Sequence, residues 1–152
     1  MILFASQSSD DTAALARRIG ARLRSGDVLL LDGPIGAGKT HFARALIQSL
    51  LIRPEDVPSP TFTLVQVYDS VAGPIWHADL YRLTDPSEVE ELGLSDAFDS
   101  AICLIEWPDR LGIRLPPGAL RLVFAQGAGD DQRQITCVAG DGWPDRLKDI
   151  VP

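Results

Sequence analysis

Residues Gly33-Pro34-Ile35-Gly36-Ala37-Gly38-Lys39-Thr40 match GxxxxGK[ST] without a deviation, a spacing that wraps backbone N–H groups round a phosphate. The glycines permit torsions that turn successive N–H groups inward as an anion nest. A helix beginning behind them adds its dipole and unpaired donors. On this reading Gly33, Gly36, Ala37, Gly38 and Lys39 hold a nucleotide's phosphates. Lys39 reaches the β and γ positions as an exposed ammonium, and the Thr40 hydroxyl ligates Mg²⁺. A chance match in a chain of this composition arises on the order of once in several hundred sequences. Lys39 is also one of only two lysines, beside 12 arginines.

A phosphate-bound metal needs a carboxylate across the site, commonly one that closes a neighbouring apolar strand. Glu106 closes AICLI and Asp79 closes PIWHA. Both qualify, and Glu106 follows the more apolar strand. Ser59-Pro60-Thr61 offers a hydroxyl able to meet a γ-phosphate or Mg²⁺ as switch segments do, although its prolines equally make a plain rigid turn. His41 and His77 have no metal-ligand spacing and read as satisfied structural histidines. Trp76, Trp107 and Trp143 read as packing residues. Cys103 and Cys137 stand alone in apolar surroundings, with no CxxC, and read as buried reduced thiols.

These groups need elements to position them. Asp27 to Leu31 reads as a strand buried on both faces, and the glycine-rich turn leads into a helix from Lys39 to Leu51. Before them come a short strand, Ile2 to Ala5, and a helix from Thr12 to Leu23 with Leu15, Ile19 and Leu23 on one face. Arg17, Arg18, Arg22 and Arg24 decorate that helix as a solvated face. Further on, Phe62 to Tyr68, Pro74 to Asp79, Ala101 to Glu106, Ala119 to Ala125 and Gln134 to Ala139 read as strands. Pro86 to Leu94 reads as a helical turn and Trp143 to Ile150 as a terminal helix. The pattern predicts one α/β domain over residues 1–152, a mixed central sheet flanked by helices, with antiparallel additions toward the C-terminus.

The 152 residues, 45% hydrophobic and 23% charged, suit one domain. A net charge of −7 disfavours direct tight binding of nucleic acid, which needs a positive surface. The N-terminal apolar stretch is too short for a signal peptide and no run has the length of a membrane span, so a cytoplasmic location is expected.

GPIGAGKT, SPTFTLVQVY, HADLYRL and AICLIEWPDR, in this order and at these intervals, closely resemble the TsaE (YjeE) family, small bacterial P-loop ATPases of tRNA threonylcarbamoyladenosine synthesis. The resemblance spans about residues 10 to 110. It implies a P-loop NTPase fold that binds ATP and Mg²⁺ and hydrolyses ATP with the partner proteins TsaD and TsaB, which modify adenosine 37 of tRNAs reading ANN codons. Carried over by motif, Lys39 and Thr40 are the phosphate and Mg²⁺ residues, Thr61 a switch-like residue, Asp79 a residue needed for hydrolysis and Glu106 the metal ligand. Trp107 is a family-typical aromatic beside it. The resemblance also makes Thr12 and Arg133 nucleotide contacts; His41, which follows Thr40 where the family often has a small hydroxyl residue, is counted with the nucleotide-binding stretch by its position alone.

Two other P-loop classes compete. A small-molecule or nucleotide kinase needs an arginine-bearing lid, for which Arg110 and Arg114 are the available residues, but no second phosphate-recognition motif accompanies them. A regulatory GTPase needs Asn in NKxD, and the chain has none; Asp79-Leu80-Tyr81-Arg82 also lacks the glycine of DxxG.

Overall fold

Strand β2, Val28–Asp32, is apolar until its last residue and lies between two parallel neighbours, β5 (Ile102–Glu106) and β6 (Leu120–Gln126). In this computed structural model, which describes residues 2–60, 63–138, 140 and 142–150, a seven-stranded sheet runs β1-β7-β6-β2-β5-β4-β3. Strand β4 (Gly73–Asp79) continues the parallel set beside β5. The antiparallel members are β7 (Arg133–Val138), between β6 and β1 (Ile2–Ser6), and β3 (Val65–Ser70), which pairs with β4. The expected mixed α/β sheet is present. One addition lies outside the expectation, because β3 folds back on β4 in mid-chain and makes the far edge antiparallel as well.

Helices α1 (Ser9–Gly20) and α2 (Lys39–Leu50) cover one face of the sheet. Their Leu15, Ile19, Phe42, Leu46 and Ile47 are fully buried, with Leu29 and Leu31 of β2 in the same cluster. Phe42 meets Phe124 of β6 edge-on, with ring centroids 5.4 Å apart, a geometry aromatic quadrupoles favour. Gly20 lets the two helices close up, since a methyl there would sit 3.1 Å from Leu46 Cγ. On the other face Val28, Leu30, Ala78, Cys103 and Ile105 pack with Val89, Leu94, Ala97 and Leu111. These come from α3 (Glu88–Glu91), α4 (Leu94–Ser100) and a 3₁₀ helix, Pro108–Arg114. That cover stops at β2. On the same side of β1, β7 and β6, residues Leu3, Ala5, Ala125, Gln134 and Val138 are exposed.

Element boundaries differ from the sequence expectation where a local bond outweighs the apolar period. Helix α1 starts at Ser9, because the Ser8 hydroxyl accepts the Asp11 N–H at 3.1 Å and caps it there, and it ends at Gly20 although Leu23 stays in the core. Leu64 adopts a left-handed backbone with φ +65°, so β3 begins only at Val65; residue 62, where a strand was expected to start, lies outside the described residues. Gly93, at φ +80°, restarts the helical turn as α4. The terminal helix α5, Trp143–Arg146, is shorter than expected. Arg146 bonds both oxygens of Asp27, Nη1 reaching Oδ1 at 2.8 Å and Nη2 reaching Oδ2, which ties the C-terminal segment to the start of β2.

Cys103 and Cys137 are buried and free, as the sequence suggested. Burial raises their thiols to about 12 and about 11 respectively. Because only the thiolate is nucleophilic, the native chain is expected to resist iodoacetamide at pH 8 and to label at both positions in denaturant. Peptide mass spectrometry of the two samples checks this.

Candidate nucleotide site

The loop between β2 and α2 has the torsions that its glycines predict. Gly33 has φ +147°, and a methyl group there would lie 2.6 Å from the Phe124 carbonyl oxygen, so only glycine fits beside β6. Gly36 and Gly38 take φ +81° and +99°. Gly38 caps α2 with no side-chain hydrogen bond, and no acid lies in the first turn, so the positive end of the helix is left for an anion. Ala37 is buried.

The sheet register brings the acids to this loop. Leu31 of β2 pairs with Glu106 of β5, which pairs with Asp79 of β4. The strands are parallel, so their carboxyl ends line up, the place where open α/β sheets bind ligands. Thr40 Oγ1 donates to Glu106 Oε1 at 2.8 Å. The other carboxylate oxygen, Oε2, lies 2.7 Å from His77 Nε2. Asp79 Oδ1 accepts the Tyr81 N–H at 3.0 Å. Burial pushes the Asp79 carboxyl above the usual carboxylate range and the nearby Glu106 adds to the rise, while the Tyr81 N–H, the neighbouring His77 and the Lys39 ammonium oppose it.

Lys39 departs from expectation. It is only 5% exposed, with Nζ donating to the Gly33 carbonyl at 2.6 Å and standing 3.5 Å from the centre of the Trp107 ring. Desolvation lowers its pKa, offset by Glu106, Asp79, Asp32 and Asp109 in that order. The ammonium is thus held under a lid rather than presented to solvent. Trp107 is therefore more than packing: its backbone is left-handed, φ +60°, which turns the ring over Lys39 and against Tyr81, ring centroids 4.9 Å apart.

A cavity of about 460 Å³ opens here, lined by Gly36, Gly38, Lys39, Thr40, His41, Asp79 and Glu106, with Ile35, Ser59, Tyr81, Arg82 and Trp107 at its walls. Arg133, at the start of β7, reaches across to the Gly36 carbonyl with Nη2 at 3.2 Å, so this C-terminal arginine does belong beside the loop. His41 lines the cavity while its Nε2 sits 2.9 Å from the Ser9 carbonyl. Thr12 is not brought to the wall: it is 2% exposed and its hydroxyl is 2.7 Å from that of Ser6. Thr61 lies outside the described residues. Arg114 bonds Glu90 at 3.1 Å, and neither it nor Arg110 lines the cavity.

Sequence reasoning passed over His77, Tyr81 and Arg82. His77 was legible as a face partner of Asp79, because residues two apart on a strand point to the same side. Its Nδ1 is buried without a hydrogen-bond partner among the described residues, so it is not the fully satisfied histidine expected. The pairing with Glu106 depends on strand order, which the sequence does not display. Among the described residues no three His, Cys, Asp or Glu side chains are arranged so that together they could hold a metal ion, and no helix is long and apolar enough to cross a membrane.

A family model described as threonylcarbamoyl adenosine biosynthesis protein TsaE matches residues 6–135. The tRNA threonylcarbamoyladenosine biosynthesis protein TsaE of Bacillus subtilis is 40% identical over 131 residues, covering 86% of this chain and 80% of that protein. The protein of the same name from Rickettsia conorii is 39% identical over 110 residues, 72% of this chain and 63% of that protein, so the chain spans somewhat under two thirds of that relative. The crystal structure of Bacillus subtilis YdiB superposes with a TM-score of 0.80 at 32% identity, covering 98% of this chain and 93% of the other. A family match over most of the sequence, together with relatives this similar, shows that the chain belongs to the TsaE family of tRNA threonylcarbamoyladenosine biosynthesis proteins.

Proposed function

We propose that residues 1–152 form one P-loop ATPase domain that binds ATP and Mg²⁺ and hydrolyses ATP in the service of threonylcarbamoyladenosine formation at tRNA position 37, acting with TsaD and TsaB. The observation that carries this reading is the Thr40–Glu106 hydrogen bond, 2.8 Å long, at the foot of a glycine nest. A hydroxyl and one carboxylate suit Mg²⁺, which keeps several waters and takes its remaining ligands from phosphates rather than from an all-protein cage.

Bound with ATP, Mg²⁺ supplies positive charge to phosphate oxygens as the terminal bond breaks. Gly33, Gly36 and Gly38 shape the nest that meets the phosphates, Ala37 would turn its N–H from the Pro34 carbonyl, 3.2 Å away, to join them, and Lys39 would exchange its Gly33 carbonyl and Trp107 ring for phosphate oxygens. Thr40 and Glu106 hold the metal side. Arg133 covers the loop from β7 and His41 lines the cavity; by the family resemblance Thr61 joins the nucleotide-binding set, as does Thr12 if its hydroxyl leaves that of Ser6. Asp79 keeps one oxygen on the Tyr81 N–H, leaving Oδ2 to orient a water and take its proton. With a net charge of −7, the chain reaches tRNA through its partners, in the cytoplasm.

Lys39→Ala is expected to weaken ATP binding by roughly two orders of magnitude, about 2–4 kcal/mol, with the fold kept; calorimetry and circular dichroism check both halves. Equal affinity in parent and variant rejects the phosphate role.

Asp79→Asn separates stability from turnover. A carboxyl whose folded pKa is raised favours folding when protonated, and that contribution is lost as pH rises through the folded pKa. At neutral pH the ionised Asp79 therefore opposes folding. The nucleotide-free Asn variant should melt at or above the parent temperature, while steady-state ATP hydrolysis falls at least tenfold. A lower melting temperature contradicts the first expectation, and unchanged turnover the second.

Hydrolysis by the isolated chain should be slow, because the cavity holds few of the positioned charges that phosphoryl transfer uses. Addition of TsaD and TsaB is expected to raise it, and Glu106→Ala to remove the rise together with multiple-turnover tRNA modification. Robust turnover by the chain alone, unaffected by these partners, rejects the assignment.

A further inference from the structure

His77 is fully buried and lies outside the cavity wall, yet it is bonded to the carboxylate that the proposed function puts on the metal. Strand register explains the contact. Asp79 is directly opposite Glu106, and His77, two residues earlier, lies on the same face as Asp79 and reaches Glu106 diagonally. Its Nε2 sits 2.7 Å from Glu106 Oε2.

An ionised carboxylate only accepts hydrogen bonds, so the shared proton belongs to His77 Nε2. Nδ1 is buried with no hydrogen-bond partner among the described residues. A proton there would be a donor with nothing to donate to, whereas a bare lone pair is the less costly orphan. The ring is therefore fixed as the Nε2–H tautomer. The last torsion of a glutamate side chain is broad, and one bond from Thr40 does not hold the carboxylate plane. The second bond, from β4, does. We propose that His77 is a positioning residue: by donating to Oε2 it keeps Oε1 of Glu106 turned toward Thr40, presenting that oxygen for the divalent cation. This rests on the reading of Thr40 and Glu106 as the metal side of the site.

The test compares His77→Leu, which fills much of the ring's volume without a donor, with His77→Gln, whose amide N–H reaches about as far as Nε2–H. Mn²⁺ serves as the probe, counted by electron paramagnetic resonance in the presence of a non-hydrolysable ATP analogue, and nucleotide affinity is measured separately in EDTA. Loss of a partner that orients a metal ligand typically costs 10–100-fold in metal affinity. The Leu variant should weaken Mn²⁺ binding by about that factor with its EDTA affinity unchanged, and the Gln variant should recover most of the loss. Parent-like Mn²⁺ affinity in the Leu variant overturns the proposal, as does a Gln variant that folds but binds Mn²⁺ no better than Leu. In nucleotide-free parent protein, nitrogen NMR of the imidazole should show the proton on Nε2; a proton on Nδ1 also overturns it. A parent whose nucleotide affinity is indifferent to Mn²⁺ would overturn the proposed function instead, and the tautomer would still decide whether His77 holds Glu106.

Discussion

A carboxylate that is 2% exposed is the constraint round which this molecule is arranged. Taking such a charge out of water is tolerable only if each oxygen finds a donor. Glu106 finds one in the first turn of α2 and another in the interior of β4. The helix that follows the phosphate loop, the interior strand β5 and its neighbour β4 are therefore connected through one side chain. Moving any of the three leaves an oxygen of a buried anion without its partner.

The parallel register does the rest of the positioning. Asp32, Glu106 and Asp79 all end their strands at one edge, where the phosphate loop leaves β2. Glu106 and Asp79 converge because their strands terminate together, while Asp32, on the other face, bonds Arg121 at 2.8 Å, and Lys39 is drawn under Trp107 into the field of these acids. The left-handed backbone at Trp107 is uncommon for a residue of its size. It turns the indole back over the loop and lets Pro108 begin the 3₁₀ helix.

Much of this was legible beforehand because it is local. The phosphate loop shows in its own spelling, and each apolar run ended in its acid. Arg133 came from the family likeness rather than from any pattern, and the structure lays it across Gly36. What was not legible depends on which strands become neighbours. The bond between His77 and Glu106 spans 29 positions and follows from β4 lying beside β5, a fact of topology. The burial of Lys39 depends on the turn at Trp107, which no apolar period predicts. Thr12, near the start of a helix, carried no sign that Ser6 would occupy its hydroxyl.

The sheet is covered on both faces only across β2, β5 and β4, and on one face across β6, β7 and β1. Amide exchange follows such coverage, since local opening is easiest where few apolar contacts must be given up. The deuterium clock should run slowest in the strands that carry Asp32, Glu106 and Asp79, and fastest at β1 and the outer part of β7. The acids thus stand on strands covered on both faces, and Arg133, which reaches the phosphate loop from β7, stands on a strand covered on one, so the two walls that brace the loop are expected to exchange at different rates.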